Sequence, residues 1–310
     1  MSWKVPYIDL GAQYESLKDE LDDAIQRVMA SGRYINGEET ERFEQSLAKY
    51  LGVKHVIGVG NGYDALYMTM RAMGLSNRLN IHTDEYTHIS TKAAIKNNGC
   101  VISDIAPVAD IVVHMNGRFN ARPTFGGFLI EDACQALGTK FNGDFVGTFG
   151  SAGCFSFHPM KVLGCAGDGG AVVTNDHDIN DCLRELRNHG GGKGYGVNSR
   201  LDNLQAAILN VKFPYLDGYI KRRREIASIY ETELPPWVTK PPAPSDGPYF
   251  DTYSSYVIGG SPEMLAHMRG KGIECFSHIR TNLLSLPIYP EMKEAHQAMV
   301  IAAVRSYTNG

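Results

Sequence analysis

The chain has six cysteines but no C-x-x-C pair. That removes the commonest thiol metal and redox motifs and leaves buried free thiols in a reducing, cytoplasmic setting as the expectation. No run of about 18 apolar residues occurs, so no membrane-spanning helix is expected. The N-terminus, Met1-Ser2-Trp3-Lys4-Val5-Pro6, lacks the apolar core of a secretory signal. Neither sign of charge dominates: 30 basic residues face 34 acidic ones, for a net −4. The balance gives no electrostatic reason to expect a nucleic acid or membrane partner. Internal repeats and low-complexity segments are also absent, and no metal-ligand cluster is predicted.

What remains is an ordinary soluble composition, 43% hydrophobic and 21% charged, in 310 residues. This length allows a large domain with a smaller one behind it. Leu10, Tyr14, Leu17, Leu21, Ala24 and Val28 recur at steps of three and four and predict one amphipathic helix ending at Gly32. Apolar runs at Val56-Ile57-Gly58-Val59, Phe128-Leu129-Ile130, Cys154-Phe155-Ser156-Phe157 and Ala171-Val172-Val173 read as buried strands. They alternate with helical segments and are continuous, as in strands covered on both faces. The predicted fold class is α/β, with a mostly parallel central sheet and helices on both faces. A small α+β domain follows. The expected boundaries are 1–214 and 215–310, with prolines at 235–248 marking an irregular crossing. Ser199 is the predicted N-cap of the helix through Leu204 and Ile208, with Asp202 as its capping acid. Lys221-Arg222-Arg223-Arg224 reads as a solvated helical face.

Three stretches carry chemistry. Gly58-Val59-Gly60-Asn61-Gly62-Tyr63-Asp64 is a strand, a glycine turn and a helix start, which aims backbone N–H groups at an anion such as phosphate. The dinucleotide fingerprint fails here, because Tyr63 stands where its third glycine belongs. Asp132 ends the strand that begins at Phe128, at the edge where α/β sheets keep site residues. Lys161 follows the strand at Cys154 and can attack a carbonyl to form a Schiff base. Taken singly, each has a plainer reading: a turn without ligand, a loop cap, a solvated lysine. Pyridoxal phosphate needs all three, for its phosphate, its ring nitrogen and its aldehyde.

In matched stretches the chain resembles the DegT/DnrJ/EryC1/StrS sugar aminotransferases, a branch of the fold type I pyridoxal-phosphate enzymes. Those stretches are Ile8 to Tyr14, Gly60 to Leu66, Glu131-Asp132-Ala133-Cys134-Gln135-Ala136, Cys154 to Gly170, Arg187-Asn188-His189-Gly190, and Asn198 through Ala207. The resemblance implies that Lys161 bonds the cofactor and moves a proton, while Asp132 holds the ring nitrogen. It implies that Gln135 meets the ring hydroxyl, and that Ser156 with the amides of Gly62 and Tyr63 binds the phosphate. His88 falls where the family stacks an aromatic on the ring. Asn198 matches the residue that reaches a neighbouring subunit's phosphate, which makes a homodimer the expected unit.

The implied reaction moves an amino group from L-glutamate to a nucleotide-linked keto-(deoxy)hexose, with pyridoxal 5′-phosphate alternating with its pyridoxamine form. Leu163 to Gly170 leans toward amination at C3. Two departures stand out. The stretch before Phe128 is short, as though crossover elements of the sheet were missing, and a second shortening lies near His278 to Leu286. These shortenings keep a competing reading open, a scaffold or regulatory protein that binds cofactor with little turnover.

Overall fold

The computed structural model describes residues 3–121, 127–277 and 282–307. In chain order the elements are α1 (Leu10–Ser16), α2 (Lys18–Ser31), α3 (Glu38–Leu51), β1 (His55–Val59), α4 (Gly62–Ala72), β2 (Asn80–Thr83), α5 (Ile89–Asn97), β3 (Val101–Ile102), β4 (Ala109–Val113), β5 (Phe128–Asp132), β6 (Lys140–Phe141), β7 (Asp144–Phe145), β8 (Ala152–Ser156), β9 (Gly170–Thr174), α6 (His177–Leu186), α7 (Asn203–Lys212), α8 (Leu216–Glu233), β10 (Tyr249–Phe250), β11 (Tyr256–Gly259), α9 (Pro262–Gly270), β12 (Phe276–Ser277), β13 (Leu283–Leu286) and α10 (Glu294–Arg305).

Seven strands form the central sheet in the order β1-β9-β8-β5-β4-β2-β3. Only β9 runs antiparallel to its neighbours, so the expected mostly parallel sheet is present. One face packs Ile57, Ile81, Ile111, Ile130 and Val172 against Leu66, Met70 and Ile95 of α4 and α5. The opposite face of β1, β9 and β8 packs Val56, Val173 and Phe155 against Phe43, Leu47 and Leu209 of α3 and α7. A separate cluster of Tyr230, Tyr256, Met268, Leu284 and Val304 fills the C-terminal unit, and Val5 from the other end of the chain lies within it. Its sheet has the order β11-β13-β12.

On this flank β3, β4 and β5 are in the sheet, and short connections stand where crossover elements were expected to be missing. Residues 103–108 carry the chain from β3 across β2 to β4, where a parallel crossover ordinarily takes about a dozen residues or more and a helix. The link is tied down by Ser103 N–H to the Ile81 carbonyl (3.0 Å), Val108 N–H to the Asn80 carbonyl (2.9 Å) and the Asn80 side-chain amide to the Ile105 carbonyl (2.8 Å). Between β4 and β5 the described residues hold a 3-10 turn at Met115–Gly117 and no α-helix. Beneath the short link β2 and β4 meet through a polar pair, with Asp110 buried at 1% exposure. His82 lies in register with Asp110, and their side chains meet at 3.0 Å. The second shortening lies partly on residues 278–281, outside the described residues.

Three local expectations are corrected. The first helix is two, α1 and α2, joined at Leu17, and Leu10 and Tyr14 of the predicted apolar stripe are exposed. Asp202, not Ser199, occupies the N-cap of α7, and it makes no side-chain capping bond. Arg223 is 2% exposed within the supposedly solvated basic run. Its guanidinium donates to the Ile288 carbonyl (2.6 Å) and to the carbonyls of Ser254 and Tyr253, so acceptors from the C-terminal unit replace water. Burial holds its pKa down to about 10.

Candidate active site

The site assembles at the C-terminal ends of β5 and β8, where a parallel sheet leaves a crevice. Glu131 aligns these two strands. Its buried carboxylate accepts the N–H groups of Gly147 (2.8 Å), Phe149 (2.6 Å) and Gly150 (2.8 Å) and meets His114 Nε2 at 3.1 Å. The next residue, Asp132, therefore points from a fixed strand end. It is 5% exposed. One carboxylate oxygen accepts from the Thr91 hydroxyl at 2.7 Å and the other from the Cys134 N–H at 3.2 Å. Among the described residues no lysine, arginine or histidine comes within ion-pair distance of Asp132. A buried carboxylate without a cation is costly, so the site calls for a positive atom from a ligand.

The anion cradle is built on β1 and α4. Asn61 caps the helix, its side chain taking the Asp64 N–H (2.8 Å) and its carbonyl the Ala65 N–H (3.1 Å). The N–H groups of Gly62 and Tyr63, first in the helix, are left to face an anion. Glycine is required at 62: a Cβ there would lie 2.9 Å from Ser156 Cβ and 2.7 Å from Cys134 Sγ. Ser156 therefore closes against the cradle. Ser199 supports it from behind, accepting the Gly60 N–H (2.9 Å) and donating to Asp64 (2.6 Å). This role explains why Ser199 is not free to cap α7.

Lys161 sits in the turn between β8 and β9. Its N–H donates to the His158 carbonyl (2.8 Å), and Phe157 N–H to Gly169 O (2.7 Å) closes the turn at its base. The lysine, Asp132 and His88 share one electrostatic neighbourhood. Burial is the largest cause lowering the His88 pKa, the Lys161 charge lowers it further, and Asp132 opposes both. Cys134 feels the charges of Asp132 and Lys161 as well. Burial first, then Asp132, raises its thiol pKa, and Lys161 counteracts. His88 caps α5, taking the Ser90 N–H on Nδ1 at 3.3 Å. Gln135 accepts the Asn116 N–H at 2.9 Å, which directs its amide –NH2 elsewhere. Asn198 is exposed beside its bridge to Asn188.

Of the residues singled out in the sequence, Lys161, Asp132, His88, Ser156 and Gly62 are drawn to one region by these charges and close approaches, and Gln135 and Tyr63 are their chain neighbours. Asn198 lies outside it, on the surface next to the Ser199 support. Thr91 was missed, since nothing in its spacing ties it to Asp132, 41 residues on. The donor set fits pyridoxal phosphate: an uncompensated buried carboxylate for a pyridinium, an amine on the adjoining turn, and a helix N-terminus for the phosphate.

A family model described as the DegT/DnrJ/EryC1/StrS aminotransferase family matches residues 15–110 and 124–257. The pleiotropic regulatory protein of Geobacillus stearothermophilus is 33% identical, over 98% of this chain and 98% of that protein. The dTDP-3-amino-3,4,6-trideoxy-alpha-D-glucose transaminase of Streptomyces venezuelae is 32% identical, over 98% of this chain and 96% of its own. These alignments run to 366 and 365 positions against 310 residues here, so both relatives carry segments that this chain lacks. The crystal structure of S. venezuelae DesV in complex with a ketimine intermediate superposes with a TM-score of 0.89 at 30% identity, over 100% of both chains.

Proposed function

Because the chain belongs to the DegT/DnrJ/EryC1/StrS aminotransferase family, we propose that it transfers the amino group of L-glutamate to C3 of a nucleotide-linked keto-deoxyhexose. The family's chemistry is pyridoxal-phosphate-dependent amino transfer to nucleotide sugars. When bound, the cofactor supplies an aldehyde that captures the amino group and a ring that accepts the electrons released at the neighbouring carbon.

The residues of this chain do the rest. Asp132, buried and without a cation among the described residues, keeps the ring nitrogen protonated. Lys161 offers the covalent anchor and afterwards carries a proton between carbons at its Nζ. Gly62, Tyr63 and Ser156 hold the phosphate, Gln135 meets the ring hydroxyl and His88 covers the ring face. Exposed Asn198 reaches the phosphate of a second copy, which makes the working unit a homodimer. The dTDP sugar of the Streptomyces relative bears its nitrogen at C3, and this supports C3 here.

The observation that carries the reading is the carboxylate of Asp132, held by Thr91 and Cys134 and, among the described residues, by no positive group. The test has two stages. L-Glutamate added to protein loaded with pyridoxal phosphate should bleach the visible band and raise the pyridoxamine band. A panel of nucleotide 3-keto and 4-keto sugars should then restore the first band with the 3-keto members. An unchanged spectrum with glutamate would return the scaffold reading.

A further inference from the structure

A second lysine, Lys212, is buried beneath the Lys161 turn. It ends α7 and is 7% exposed. Its Nζ donates to the Gly164 carbonyl at 2.9 Å and to Gln13 Oε1 at 2.7 Å. Gly164 lies three residues past Lys161 in a turn with no spare room: a Cβ there would lie 2.5 Å from the Pro159 carbonyl and 2.8 Å from that of His158. The same turn is pinned by Cys165 N–H to the Phe157 carbonyl at 2.8 Å. A charged donor on the Gly164 carbonyl thus fixes a peptide three residues past Lys161, inside the turn.

The contact continues outward. Gln13 is buried in α1, and its side-chain nitrogen donates to Glu291 Oε1 at 3.2 Å. Glu291 belongs to the C-terminal unit, and its second oxygen is buried without a partner. Burial lowers the Lys212 pKa, and the nearby Cys165 and Glu291 raise it. A lysine buried against one carbonyl and one amide oxygen is expensive to keep unless it holds something in place. Lys212, Gln13 and Glu291 come from α7, the N-terminal helix and the C-terminal unit, and their chain of contacts ends, through Lys212, on the turn that carries Lys161.

We propose that Lys212 is a positioning residue for Lys161, and that Gln13 and Glu291 couple this clamp to the docking of the C-terminal unit. The N-terminal helix is the intermediary: it orients Gln13 so that one end of its amide holds Lys212 and the other holds Glu291. The proposal rests on Lys161 as the cofactor-bonding amine, and its test has one arm that does not.

That arm is amide hydrogen exchange on protein without cofactor. Lys212→Met should speed exchange of residues 161–166 about tenfold while leaving β5, β8 and β9 unchanged. Glu291→Gln should move the same amides in the same direction by less. The second arm is the rate at which the visible band forms on mixing with pyridoxal phosphate, expected to fall about tenfold in Lys212→Met. Lys221→Met, an exposed lysine on α8, should change neither. The double variant Lys212→Met/Glu291→Gln should equal Lys212→Met alone, because the second change acts through the first. Unchanged exchange at 161–166 in Lys212→Met overturns the clamp, and additive effects in the double variant overturn the coupling. Should Lys212→Met not fold, Glu291→Gln decides: no faster exchange at 161–166 overturns the proposal. Faster exchange combined with a band that still forms in Lys161→Met would overturn the assignment of Lys161 and leave the clamp standing.

Discussion

The hydroxyl of Thr91 donates to the carboxylate of Asp132 across 2.7 Å, joining the first turn of α5 to the end of β5. Both residues are buried, so the bond forms in a low-dielectric setting where a charged acceptor gains most. Thr91→Val keeps the shape and removes the donor. The expected loss is about 1.5–3 kcal/mol of stability in urea unfolding of the unliganded protein. Weaker retention of pyridoxal phosphate should accompany it, read by titration of the visible band.

Lys161→Met should abolish the visible band of protein mixed with pyridoxal phosphate and reduce amino transfer by at least about a thousandfold. Phosphate-dependent binding should survive in this variant, because Gly62, Tyr63 and Ser156 are untouched. Fluorescence titration with pyridoxal phosphate and with pyridoxal lacking the phosphate separates the two effects.

His88 should titrate below the ordinary histidine value of 6.5, since burial and the Lys161 charge both disfavour its protonated form. Its depressed pKa contributes stability that is present above pH 6.5 and lost as pH falls through the folded value. Removing the lysine charge in Lys161→Met should raise the His88 midpoint but leave it below 6.5, burial being the larger cause. Imidazole NMR titration of the two unliganded proteins reads both shifts.

Arg223→Met should cost about 1–3 kcal/mol in urea unfolding, because the Ile288 carbonyl and its neighbours lose a buried donor. Neither the visible band nor its rate of formation should change by more than the loss of folded protein accounts for, since Arg223 touches the C-terminal unit and not the crevice.

The strands were legible because their apolar runs are unbroken. A run such as Ala171-Val172-Val173 between glycine and threonine leaves little choice but burial on both faces. Asp132, Lys161 and the Gly60–Gly62 turn were legible because each sits at a strand end or a glycine turn, where the local pattern stops abruptly; His88, Gln135 and Ser156 were named only through the family resemblance. Thr91 was not, because it lies inside a helix and its partner is brought in by the sheet. Ser199 showed the pattern of a cap, and a contact 139 residues back at Gly60 took its hydroxyl instead. Arg223 was hidden for a related reason: its carbonyl partners come from loops of the C-terminal unit, which have no periodic signature. The short crossovers were visible only as missing length. His82 joins buried Asp110 to Asp104 of the short link, so hydrogen-bonding side chains hold the abbreviated crossover to the sheet.

The antiparallel run of β9 against β8 has one more consequence. Ser156 lies opposite Gly170 in register, so the segment bearing Lys161 leaves and re-enters the sheet at a single rung. Its endpoints stay together whatever happens to chain length elsewhere. The place of Lys161 is thus fixed by the pairing of β8 with β9 and not by the length of the route from β3 to β5.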